Sequence, residues 1–301
     1  MHGNRSSRTA EYMAFFRALE DMQPLAHRLF SDRFAVTLLR SSLKAVAVLA
    51  QWMPFRQLFT LLLDKNWPRA RSSAVVRTKL IDDLLPDAFA SGSRQLVLLG
   101  AGFDTRPYRL PEARQLKTFE VDHPATQAAK VERLGQNEAT HTELLRYVPV
   151  DFEQDDLESS LLDAGYDPNV GTLVIWEGVV SYLSASAVDG TFRVLARLLS
   201  PGGRVIFTYV DLRATDGSQF FPEAKRWTGK VRSTGEPFIF GFLPHELDNY
   251  ARKRGFTLWS DVTTADAATQ YNASYGRSET GSDMYRVAVF IRNEADQLCQ
   301  K

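Results

Sequence analysis

Cysteine occurs once in 301 residues, at Cys299 in the polar tail. A single thiol excludes an internal disulfide framework and a zinc cluster built on cysteines, and it argues against a cysteine nucleophile. No metal site is expected. An excess of one charge is also missing, because 36 Lys plus Arg balance 36 Asp plus Glu. Nothing therefore draws a phosphate polymer from a distance, and no nucleic-acid partner is expected. The opening MHGNRSSRTAEYM lacks the apolar core of a signal peptide. The most apolar window, Leu43 to Leu63, is interrupted by Lys44, Gln51, Pro54, Arg56 and Gln57. No uninterrupted run reaches membrane length. The expectation is a soluble, cytoplasmic protein with no membrane partner; the oligomeric state is not legible. Internal repeats and low-complexity tracts are absent. A chain of this length buries one large core, with room for an accessory lobe.

What the chain does have is concentrated between Arg94 and Pro124, RQLVLLGAGFDTRPYRLPEARQLKTFEVDHP. Gln95 to Leu99 reads as a buried strand, followed at once by the turn Gly100-Ala101-Gly102-Phe103-Asp104-Thr105. Leu116 to Val121 reads as a second strand, ending on Asp122. Glycines in such a turn let a ligand approach the backbone. An acidic residue closing the second strand can accept hydrogen bonds from two ribose hydroxyls. The pattern is a nucleoside-cofactor cradle. A dinucleotide fingerprint needs a third glycine, and Thr105 stands in its place. Arg106-Pro107-Tyr108-Arg109-Leu110-Pro111 is too broken by proline for a long phosphate-capping helix. Asp104 also puts negative charge where a pyrophosphate would lie. S-adenosylmethionine, which has no phosphate but carries an amino-acid group and a cationic sulfonium, suits this turn better than a nicotinamide dinucleotide.

Further strands follow in order. Tyr147 to Val150 ends on Asp151-Phe152, and Leu173 to Trp176 ends on Glu177-Gly178. Carboxylates thus close strands two, three and four, at the end of a parallel sheet where ligands bind. Pro201-Gly202-Gly203 turns into a fifth strand, Arg204 to Val210. Thr257 to Val262 and Met284 to Arg292 read as two last strands, pairing antiparallel at the sheet edge. Residues 1–90 read as a helical cap, with helices over Arg8 to Leu19, within Val36 to Leu63, and over Ser72 to Leu85, the last ended by Pro86. Residues 91–301 form the core, with a lid insertion at 211–242. The chain has no Asn/Asp-Pro-Pro-aromatic turn after strand four, where it has Trp176-Glu177-Gly178-Val179. This argues against methylation of nucleobase amines.

The runs LGAGFDTR, FEVD, VPVDFE, WEGVVSYL and LSPGGRVIFTYVD resemble those of the leucine carboxyl methyltransferase family. SRTAEYMAFFRALED, LFSDRFA and VVRTKLIDDLL extend the resemblance over nearly the whole chain. That family is a branch of the class I S-adenosylmethionine-dependent methyltransferases. It includes bacterial O-methyltransferases and carboxyl methyltransferases of polyketide pathways. The resemblance implies an α/β, Rossmann-like fold with a seven-stranded, mostly parallel sheet, a helical cap and a lid after strand five.

The resemblance also assigns roles. Arg77 matches the family arginine that holds the cofactor carboxylate, and Arg8 aligns loosely with a second basic contact. Gly100 and Gly102 approach the methionine portion, Asp122 the ribose, and Asp151 with Phe152 the adenine. Glu177 is expected near the cofactor amino group or the reaction centre. Tyr182 matches a tyrosine that faces the substrate and could orient the acceptor oxygen. A carboxylate acceptor needs no general base, whereas a phenol does, and His245 at the end of the lid is a candidate base. The expected activity is O-methylation of a carboxylate or hydroxyl of a small molecule. Rival readings are a protein C-terminal carboxyl methyltransferase and, less favoured, a nicotinamide-dependent oxidoreductase.

Overall fold

The computed structural model describes residues 8–135, 143–152, 155–233 and 237–294. Cys299 and Ser7, the first residue of the SRTAEY motif, lie outside them. Before the first strand come helices α1 (Arg8–Asp21), α2 (Ser41–Leu49), α3 (Met53–Asn66) and α4 (Ala70–Ala90). Strands and helices then alternate: β1 (Gln95–Leu99), α5 (Arg106–Arg109), β2 (Lys117–Asp122), α6 (Pro124–Leu134), β3 (Leu145–Pro149), α7 (Leu157–Asp163), β4 (Thr172–Trp176), α8 (Ala185–Leu198) and β5 (Arg204–Val210). After β5 come α9 (Leu212–Asp216), α10 (Ala224–Ser233), α11 (Leu247–Arg252), β6 (Phe256–Thr263), α12 (Thr264–Tyr275) and β7 (Tyr285–Arg292).

The seven strands form one sheet in the order β3-β2-β1-β4-β5-β7-β6. β7 runs antiparallel to both β5 and β6, and the other pairs are parallel. This is the mixed, mostly parallel sheet of a class I methyltransferase. All five residues of β1 and of β4 are buried, as parallel strands covered on both faces must be. Successive side chains serve opposite faces. Val97, Leu99, Phe119 and Trp176 pack with Val188, Phe192 and Leu195 of α8. Leu96, Leu98, Leu173 and Ile175 pack with Ile81 and Leu85 of α4. The chain reverses its spread at β1, which has β2 on one side and β4 on the other. The crevice beyond the carboxyl ends of these strands is where such sheets bind ligands.

Two local readings change. Pro86 does not end α4; the helix continues to Ala90. Ile81, Leu85 and Ala88 stay on one buried stripe against the sheet. Their burial outweighs the ~3 kcal/mol an interior proline costs. Between the last two strands lies α12, which the sequence reading left blank. Its ends carry ordinary signals: Thr263 accepts the N–H of Asp266, and Gly276 closes it with φ +59°.

Candidate functional site

At the carboxyl ends of β1, β2 and β4 a cavity of about 410 Å³ is enclosed by the sheet, α1, α4 and the segment that follows β5. Its lining includes Arg77, Gly100, Gly102, Asp122, Asp151, Phe152, Glu177 and Tyr182. The structure therefore brings together every predicted site residue except Arg8 and the candidate base His245. Arg8 stands exposed at the first residue of α1 and is not in the lining, which begins at Thr9. His245 is also outside it, in a surface turn with its side chain 69% exposed, against Glu246 at 4.0 Å.

The glycine turn is built as the cradle requires. Gly100 and Gly102 have φ of +63° and +49°, a region that L side chains rarely adopt. A Cβ on Gly100 would collide with Cγ2 of Val179, and one on Gly102 would lie 3.2 Å from Cβ of Ala10. The Asp122 carboxylate accepts the backbone N–H of Gly102, and that of His123 at 2.6 Å. It thereby ties the end of β2 to the turn. Burial raises its pKa, and the two N–H groups oppose the rise.

The acidity read from the sequence is largely compensated. Asp104 accepts from Arg106 Nη1 at 2.5 Å and from the Arg106 backbone N–H at 2.8 Å. Glu177 accepts from Arg106 Nη1 at 2.7 Å and from Arg77 Nε at 2.6 Å. Burial alone would raise the Glu177 carboxyl, but Arg106 and then Arg77 overcome it and hold the group at about 2. Four arginines, Arg17, Arg77, Arg106 and Arg109, stand among the lining residues with the acids Asp104, Asp122, Asp151 and Glu177.

Sequence reasoning missed the network behind this balance. Arg106, 2% exposed, also donates to Asp82 at 2.8 Å. Asp82 takes both Nη atoms of Arg109, at 2.7 and 2.9 Å, and Arg109 Nε reaches Thr105 at 3.1 Å. Thr105 donates to the buried Asp32 at 2.6 Å, and Arg17 of α1 donates to the same carboxylate at 2.8 Å. The DTRPYR run is therefore a charged hub that locks the first helices onto the turn. Pro107 lies in the first turn of α5, where proline is tolerated, and Pro111 holds Leu110 extended and stops the helix after one turn. Arg106 Nη2 is buried with no partner among the described residues. On the other flank Arg77 Nη1 donates to the Tyr285 hydroxyl at 2.8 Å. Nothing in the spacing of Asp32, Asp82 or Tyr285 announced these contacts.

The remaining wall is apolar. Met13, Trp67, Leu183, Trp227, Phe238 and Ile239 line it, and the Tyr182 and Phe238 rings lie 5.3 Å apart. Trp227 of α10 is anchored by its Nε1, which donates to the Pro68 carbonyl at 2.7 Å. The inserted segment is closed at its base by a bridge between Asp211 and Phe242.

The family model of the leucine carboxyl methyltransferases matches residues 10–196. A relative from Mycobacteroides abscessus is 33% identical over 79% of this chain and 73% of its own length. Another from Mycolicibacterium gilvum is 32% identical over 67% of each. Both carry the provisional name of an S-adenosyl-L-methionine-dependent methyltransferase. Among solved structures, a protein from Thermobifida fusca, also described provisionally as a methyltransferase, superposes with a TM-score of 0.61 at 15% identity, over 97% of both chains. A DUF574 protein from Streptomyces avermitilis gives 0.56 at 15% identity, over 96% of this chain and 98% of its own. At that identity these two speak for the fold.

Proposed function

The chain belongs to the leucine carboxyl methyltransferase family and is an S-adenosylmethionine-dependent methyltransferase; from that premise we propose that it methylates a carboxylate oxygen of an apolar small molecule. The observation that carries the proposal is the make-up of the wall that the first helices and the inserted segment supply. The first helices and the inserted segment bring no histidine, lysine or acid to the lining; elsewhere in it His123 has its Nδ1 engaged by the Ala125 N–H at 3.2 Å, and Asp151 is the residue assigned to the adenine. Across the cavity Glu177 is held ionised by two arginines, Asp104 by one, and Asp122 is engaged by two backbone N–H groups. A phenol or alcohol, with a pKa near ~10 or above, would need a proton acceptor, whereas a carboxylic acid arrives ionised at neutral pH.

The cavity residues fit the cofactor. Gly100 and Gly102 both line the cavity, and their positive φ holds the turn with bare backbone at that wall. Asp122 would hold the ribose, Asp151 and Phe152 the adenine, and Arg77 the methionine carboxylate. Arg77 keeps Nη2 for that role, since Nε and Nη1 are occupied by Glu177 and Tyr285. When bound, S-adenosylmethionine supplies a methyl group on a cationic sulfonium. The residues of the chain align the acceptor and exclude water. Tyr182 would orient the acceptor oxygen, and Glu177 would face the cofactor amino group. Trp67, Trp227 and Phe238 keep the meeting of anion and cation in a poorly solvated space, which favours a transition state in which both charges are being neutralised.

The test supplies methyl-labelled cofactor with a panel of apolar carboxylic acids and phenols. Label in organic extract, released as methanol by mild alkali, is the expected product of ester formation. Alkali-stable label would point to a hydroxyl acceptor, and label confined to protein would point to a C-terminal carboxylate.

A further inference from the structure

The apolar window Leu43 to Leu63 contributes nothing to the cavity lining. It folds into α2 and α3, and α3 contains no fully buried residue. Phe59 and Leu63 touch the core, but Trp52, Met53, Phe55, Leu58, Leu61 and Leu62 are 45% to 70% exposed. A helix apolar on nearly all sides is ordinarily covered. With large apolar side chains each presenting ~150 Å² or more, this face offers roughly 500 Å², above the ~400 Å² tolerated on a free surface.

Charge identifies what covers it. On α2, α3 and α10 every exposed charged residue is basic: Lys44, Lys65, Lys225, Arg226, Lys230 and Arg232. The one acid on these helices, Asp64, pairs with Arg71 at 2.8 Å. α10 abuts the last turn of α3, where Arg226 donates to the Lys65 carbonyl at 3.0 Å. This segregation is local, because the whole chain carries no net charge. A second copy docked through the same face would set basic side chains against basic ones. An anionic surface would match them.

We propose that α2, α3 and the outer side of α10 form a peripheral docking surface for an anionic lipid bilayer. The apolar side chains enter the acyl boundary, and the lysines and arginines meet the headgroup phosphates. α10 turns Trp227 inward to the cavity and its basic residues outward, so docking sets the segment that closes the cavity against the lipid.

Flotation of the whole protein with vesicles tests this independently of the acceptor assay. Vesicles of phosphatidylcholine mixed with phosphatidylglycerol should carry the protein about tenfold better than phosphatidylcholine alone, and added salt should weaken the binding. Leu58→Asp with Leu61→Asp should abolish flotation. Lys225→Glu with Lys230→Glu should abolish the preference for the anionic lipid. All four positions are exposed, and an unchanged melting temperature checks that the variants fold. A blue shift of fluorescence on mixing with vesicles, lost in Trp52→Phe, should report insertion. Absence of flotation at low salt overturns the proposal. So does a dimer in light scattering that the two aspartates separate while vesicle binding is absent.

Discussion

At Glu177 two guanidinium groups outweigh burial, and the site's charge balance depends on it. Its pKa is depressed to about 2, so its ion pairs stabilise the fold fully above the ordinary carboxyl value near ~4.3 and lose that contribution as pH falls toward 2. Glu177→Gln should flatten this acid limb of a urea-unfolding series. It should also lower stability at neutral pH by about 3–5 kcal/mol, because Arg77 and Arg106 are left buried without their shared partner. At the end of β2, Asp122 acts on both the turn and the proposed ribose contact. Asp122→Ala should weaken S-adenosylmethionine binding at least about 100-fold by calorimetry, the loss expected for two charge-assisted hydrogen bonds. If affinity is retained, the ribose assignment fails.

Among the elements, α4 links the first helices to the sheet: Arg77 and Thr78 line the cavity, while Ile81, Leu85 and Ala88 pack on the strands. Pro86 interrupts its ladder on an exposed position. Pro86→Ala should therefore stabilise the protein by about 2–2.5 kcal/mol, the helix-interior penalty less the entropy that proline removes from the unfolded chain. A denaturant midpoint measures it. The base of the inserted segment is tight at Gly241, where a Cβ would collide with the Val210 carbonyl oxygen and lie 2.9 Å from Cα and N of Leu212. Gly241→Ala should displace this segment and with it Phe238 and Ile239. Turnover should fall about tenfold or more while cofactor affinity stays near wild type. Equal losses in both would place the damage in the core.

At the scale of the whole molecule, the carboxyl ends of the central strands gather groups that lie far apart in the chain, and ligand binding there should register as stability. Cofactor at 100 times its dissociation constant should add about 2.7 kcal/mol. A melting curve should rise by a few degrees, and Asp122→Ala should remove the rise. No helix among the described residues is long and apolar enough to cross a membrane.

By itself the sequence determined the order and type of the strands, the glycine turn after β1 and the acids that close β2 and β4. These depend on local causes: buried parallel strands are runs of apolar residues, and a positive φ needs glycine. The family motifs point to the same cofactor cradle. Only the tertiary structure decided how the charges pair. Arg77 meets Glu177 across 100 positions, Arg106 meets it across 71, and Asp32 meets Thr105 across 73. Arg106 stands two positions from Asp104 and can be read as its partner, but only the fold brings Glu177 to the same guanidinium. The passage of α4 through Pro86 was settled in the same way, by distant packing that exceeded a local preference. Ion pairing and burial depend on proximity in space, which spacing along the chain does not encode.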